Sequence, residues 1–111
     1  MGLLPSLRQK KRYVLFEIIS TDTFGSEDVS KSVLAAVRDF LGVLGVAKSG
    51  PIWVKERFKP PFFVIRVNHM FVDELKSAVV LIKKIKNSPV IIRSVAVSGT
   101  LAKIGERLKS A

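Results

Sequence analysis

At 111 residues the chain fits one domain, and 48% apolar against 25% charged residues excludes an intrinsically disordered segment. Nineteen Lys and Arg against nine Asp and Glu give a net charge of +10, a self-repulsion that points to a polyanion as partner: RNA, DNA or an anionic membrane surface. The absence of cysteine excludes a disulfide framework and a thiolate metal site.

Near the N-terminus the stretch RQKKRYVLFEII, Arg8 to Ile19, places Arg8, Lys10, Lys11 and Arg12 directly before an apolar run. These charges follow the short apolar MGLLPSL rather than preceding an apolar core, the wrong order for a secretory signal. The longest charge-free run, Ser94 to Ala102, is far short of the ~20 residues of a membrane-crossing helix. A cytoplasmic protein is expected.

Tyr13 to Ile19 alternates as a strand, with Val14, Phe16 and Ile18 on one face and Tyr13, Leu15 and Glu17 on the other. After a turn-like STDTFGS, Ser26 is placed to cap a helix whose first turn carries Glu27 and Asp28. Val29, Val33, Ala36, Val37 and Phe40 form its apolar stripe, and Gly42 and Gly45 are expected to stop it. Ile52 to Phe58 and Phe62 to Val67 read as two strands of a hairpin joined around Lys59-Pro60-Pro61.

Leu75, Ala78, Val79, Ile82 and Ile85 predict a second helix ending at Pro89, with Lys76, Lys83, Lys84 and Lys86 off its stripe. Val90 to Val97 reads as a fourth strand, and Ser98-Gly99-Thr100 opens a last helix with Leu101, Ile104 and Leu108 on one face. The order β-α-β-β-α-β-α predicts an α+β fold, a ferredoxin-like (RRM-like) βαββαβ sandwich. It has a four-stranded antiparallel sheet and an extra C-terminal helix to cover the second sheet face. The expected organisation is one domain: a basic arm over 1–10, the sandwich over 11–98 and the C-terminal helix over 99–111.

A catalytic constellation does not emerge. The single histidine, His69 in NHMF, has only Asp73 and Glu74 nearby and reads as a surface or capping residue rather than a metal ligand. One histidine and no cysteine leave little room for nucleophilic arrangements, and the glycines form no phosphate loop. Catalytic residues, bound metal and bound cofactor are therefore all expected to be none.

What remains is cationic surface. The RNA-binding candidates are Arg8, Lys10, Lys11 and Arg12 before the first strand, Lys55, Arg57 and Lys59 around the hairpin, Arg66 and Arg93 within strands, and Lys103 and Arg107 on the last helix. Arg66 shares a strand face with Phe62 and Val64, an odd place for a charge on a dry face. The glycine-aromatic signature of a base-stacking RNA module is missing from KPPFFVIRVN. Phosphate contacts to structured RNA are favoured instead. Trp53, Phe58, Phe62 and Phe63 gather at the hairpin and are expected to form a protein-partner surface.

LPSLRQKKRYVLFEI at one end and FVDELKSAVVLIKKIKNSPVIIRSVAVSGTL towards the other resemble archaeal ribonuclease P protein component 2, a relative of the eukaryotic Pop-five subunit. The most specific pieces are Arg8 with Lys11-Arg12-Tyr13 running into Phe16-Glu17, and Ser98-Gly99-Thr100. The resemblance implies a subunit of the ribonucleoprotein endonuclease that removes the 5′ leader of precursor tRNA. The RNA subunit then uses Mg²⁺ for phosphodiester hydrolysis. It also implies pairing with ribonuclease P protein component 3, in a two-plus-two assembly, beside other holoenzyme subunits, the ribonuclease P RNA and precursor tRNA. Two rivals share the fold: a free-standing, ribosome-associated type of structured-RNA-binding protein, and a ferredoxin-like small-molecule regulatory domain.

Overall fold

The computed structural model describes residues 10–110 of the chain. Its elements are β1 (Lys11–Ile19), α1 (Ser26–Ser49), β2 (Ile52–Trp53), β3 (Phe62–Asn68), α2 (Val72–Val80), β4 (Lys84–Ile85), β5 (Ser88–Pro89), β6 (Ile91–Ser98) and α3 (Leu101–Ser110). The main sheet has the order β2-β3-β1-β6, and each neighbouring pair is antiparallel. The ferredoxin-like sandwich with an added C-terminal helix is therefore the observed fold.

Alternation along β1 decides what lies on each side. Val14, Phe16 and Ile18 join Phe63, Ile65 and Val67 of β3 against Val29, Val33 and Val37 of α1 and Leu75, Ala78 and Val79 of α2. Within this core Phe63 lies between two other rings, 5.2 Å from Phe16 and 5.3 Å from Trp53, centroid to centroid. The opposite face contributes Leu15 and Val64, and Ile104 and Leu108 of α3 close over them with Val54. The stripe read at Leu101, Ile104 and Leu108 thus covers the second face, as its spacing predicts. Between Leu15 and Phe16 the β1–β6 register shifts, leaving Val95 without a partner in the ladder.

Four local expectations are corrected. Ser26 does not cap α1: the N-cap is Gly25, and the Ser26 hydroxyl instead accepts a hydrogen bond from Trp53 Nε1 at 3.3 Å. Nor do Gly42 and Gly45 stop the helix. Gly42 takes φ 74° and ψ 177°, kinking α1 there, and the helix resumes to Ser49. A Cβ at Gly45 would sit 2.8 Å from Leu41 Cβ, so the helix past the kink needs glycine there too.

The strand expected over Ile52 to Phe58 is only Ile52–Trp53. Lys55–Arg57 curls into a 3-10 turn, in keeping with the poor strand propensity of Lys and Glu. Finally, α2 ends at Val80, well before Pro89. Ile85 reaches the core from β4 instead. Lys86 and Asn87 both have positive φ, 50° and 65°, as a tight two-residue hairpin turn requires. That turn brings Lys86 Nζ to 2.9 Å from Asp28 Oδ2 on α1.

Phe63 has no exposed surface, so Phe63→Ala leaves a cavity between Phe16 and Trp53. The expected loss is about 3–5 kcal/mol, read as a lower midpoint in urea unfolding with little change in slope.

Candidate nucleic-acid interface

The basic run at the start of β1 is fastened to the fold through its backbone. The Lys10 carbonyl accepts a hydrogen bond from the His69 backbone N–H at 2.8 Å, and His69 Nδ1 lies 3.2 Å from the same oxygen. Asn68 steadies this corner, its side chain accepting from the Met70 backbone N–H at 3.0 Å. His69 thus sits exposed in the short turn His69–Phe71, beside the first lysines.

Lys11 and Arg12 are half-buried. A methyl group on Gly50, the C-cap of α1, would lie 3.6 Å from Lys11 Nζ. The ammonium is therefore beside the negative end of that helix dipole. Arg12 donates from Nη1 to the Lys11 carbonyl at 3.0 Å, and its guanidinium packs by Gly99 where α3 begins. Arg8 lies outside the described residues.

The other cations distribute around α3. Lys103 and Arg107 are exposed on α3 itself. Lys55 and Lys59 are exposed around the 3-10 turn, and the Arg57 guanidinium rests against Gly105. Arg57 lines a groove together with Glu56, Lys59, Glu106 and Lys109, so both signs of charge meet there. Arg66 sits on β3 directly opposite Tyr13 of β1 and Ile52 of β2. Arg93 differs from the rest: its Nε donates to Glu17 Oε1 at 2.7 Å, a cross-strand ion pair at the far end of the sheet.

The aromatic cluster belongs to the interior. Phe63 is inaccessible, Trp53 and Phe58 pack partly buried on the main core with rings 5.9 Å apart, and Phe62 packs under α3. The expected exposure of Phe63 to a partner is thereby corrected; β alternation turns it inward beside Phe16. Exposed apolar area lies elsewhere. Val43 and Leu44, beyond the kink in α1, are 83% and 73% exposed, and Phe40 and Leu81 flank a shallow groove between α1 and α2. Sequence pattern hides this patch, because Phe40 fits the helical stripe and Gly42 reads as the helix end.

Among the described residues no group of three or more His, Asp and Glu is placed to hold a metal ion. Likewise, no helix among them is long and apolar enough to cross a membrane.

Comparison with known proteins adds an independent line. The model of the Rpp14/Pop5 family matches residues 12–109. Ribonuclease P protein component 2 of Thermococcus gammatolerans is 36% identical over 102 residues, covering 92% of this chain and 85% of that protein. The component 2 protein of Methanocaldococcus jannaschii is 35% identical over 101 residues, covering 91% and 74% respectively. A chain in a cryo-EM structure of yeast ribonuclease MRP shares the fold, with a TM-score of 0.67 at 16% identity over 93% of this chain and 94% of that one.

Glu17→Gln releases Arg93 from its ion pair and removes one negative charge from the sheet. The variant is expected to leave a heparin column at higher salt than the wild type. Because the exposed pair contributes no more than about 1 kcal/mol, thermal unfolding should move little. Unchanged elution would show that Arg93 does not face the polyanion.

Proposed function

The chain belongs to the Rpp14/Pop5 family and is a protein subunit of ribonuclease P, and we propose that it acts there as an electrostatic scaffold for the RNA. In this reading the RNA subunit holds the Mg²⁺ ions and hydrolyses the phosphodiester that joins the 5′ leader to precursor tRNA. The chain supplies no general acid or base. Its cations offset the repulsion between phosphates that folding of the catalytic RNA brings together, and each neutralised phosphate releases condensed counterions.

The observation that carries the proposal is the fastening of Lys10, Lys11 and Arg12 to the rim of the sheet. Lys10 is held through its carbonyl by His69, and Arg12 through the Lys11 carbonyl. Cations on a fixed edge lose little conformational freedom when they meet phosphate, so more of the Coulomb attraction survives as affinity. Lys55, Lys59, Lys103 and Arg107 extend the same basic surface around α3.

We further assign the chain a protein partner, ribonuclease P protein component 3, in a two-plus-two assembly, and a cytoplasmic location. The exposed apolar residues Val43, Leu44, Phe40 and Leu81 offer more surface to that partner than the largely packed ring cluster at Trp53.

The test is cleavage of precursor tRNA by the RNA subunit, with and without the chain, across a Mg²⁺ series. The chain should shift the activity curve to lower Mg²⁺; no effect at low Mg²⁺, with component 3 also present, overturns the proposal. Replacing Arg8, Lys10, Lys11 and Arg12 together by alanine should weaken RNA binding while circular dichroism stays native. The dependence of log affinity on log salt should flatten by about 0.7–0.9 for each phosphate that is no longer neutralised. An unchanged slope would return these four to ordinary solvated charges.

A further inference from the structure

Two side-chain nitrogens among the described residues are buried without a hydrogen-bond partner, and both are arginine Nε atoms: Arg57 and Arg66. A buried donor left unpaired is costly, more so on a charged group. The surroundings of the two differ. Arg57 shares its groove with the carboxylates of Glu56 and Glu106. The strand register surrounds Arg66 with Tyr13 and Ile52 directly opposite, Val64 and Asn68 along its own strand, and Lys11, Leu15 and Ser98 one step away. None of these is acidic. Glu17, an acid on the same face, lies opposite Phe62 at the other end and is engaged by Arg93.

Arg66 is thus a cation on a strand where Phe63, Val64, Ile65 and Val67 are all buried. It has no counter-charge within one register step, and Lys11 and Arg12 enter the sheet beside it. Position 66 would pack more cheaply with an aliphatic side chain. The arrangement encloses Nε within the protein and leaves the Nη1/Nη2 pair as the end open to a ligand, a planar fork that fits two oxygens of an oxyanion.

We propose that Arg66 is a dedicated phosphate-binding residue, its Nε enclosed by the protein and its terminal Nη1/Nη2 pair gripping one backbone phosphate of the RNA. This rests on the electrostatic reading above but goes further. It separates one geometrically specific contact from the diffuse contacts of the exposed lysines. A lysine carries the same charge without the planar fork, so it cannot replace Arg66.

The experiment measures binding of full-length chain to transcribed ribonuclease P RNA by fluorescence anisotropy at fixed salt. It compares wild type, Arg66→Lys, Arg66→Met and, as a remote charge control, Lys84→Ala. Arg66→Lys should bind about tenfold more weakly although the net charge is unchanged, and Arg66→Met at least as weakly. Lys84→Ala should lose less than twofold. Thermal unfolding of Arg66→Met should occur at or above the wild-type temperature, because the unpaired buried donor is gone. Arg66→Lys binding as tightly as wild type would overturn the specific contact while leaving the scaffold reading intact. A marked loss of thermal stability in Arg66→Met would also overturn it, by showing that the guanidinium serves the fold. Failure of the scaffold reading itself has a different signature: the wild-type chain would neither bind the RNA nor lower its Mg²⁺ requirement.

Discussion

The sheet is apolar on both faces, and most of the architecture is a consequence. Leu15 and Val64 lie on the face turned away from α1 and α2, yet neither exposes any surface. Something must cross that face, and α3 does so through Ile104 and Leu108. A ten-residue helix is about 15 Å long, whereas nine residues of β1 extend about 30 Å. One short helix cannot cover such a strand from end to end. Both ends of the face carry charge: Lys11 and Arg66 at one, Glu17 and Arg93 at the other.

Strongly periodic elements are legible in the sequence. The two-residue alternation of β1 and the spacing of Val29, Val33 and Val37 each have one packing solution, and the structure adopts it. Misreadings arise where a second structure satisfies the same pattern. Ile82 and Ile85 continue the helical stripe of Leu75, Ala78 and Val79, but a hairpin also delivers Ile85 to the core. Its turn uses Lys86 and Asn87 in left-handed conformations without the glycine that normally advertises such a turn. Gly42 misleads in the opposite direction. Glycine permits a helix stop, but it equally permits a kink when residues beyond it can continue the helix.

The candidate interface is half legible. Which residues carry charge is written in the sequence, and Lys10, Lys11 and Arg12 lie at the edge their position implies. Whether each charge is already engaged is a property of cross-strand register, which a one-residue shift would rewrite. The pairing of Glu17 with Arg93 depends on the irregularity at Val95, and no local cue announces it. The aromatic cluster illustrates the same limit. Trp53, Phe58, Phe62 and Phe63 exceed what a small core ordinarily hides, but stacking of Trp53 on Phe63 and cover from α3 absorb most of their area.

Pairing also distinguishes individual cations electrostatically. Three ion pairs engage Lys31 with Glu27, Lys86 with Asp28 and Arg93 with Glu17. Two of these three lie on the helical side of the sandwich, where the acids also complement the N-terminus of α1. Lys10, Lys11, Arg12, Arg66, Lys103 and Arg107 enter none of these pairs. A cation already paired with a carboxylate has little to gain from phosphate, because the exchange replaces one anion by another. An unpaired cation gains the full release of condensed counterions from the RNA. Arg38, Lys48, Lys76, Lys83 and Lys84, on α1, α2 and the hairpin segment after it, also enter none of these pairs, so ion pairing alone does not confine the net charge of +10 to one side. In the proposed reading, what distinguishes the rim at the start of β1 is its fastening to the sheet, which fixes where its cations meet phosphate.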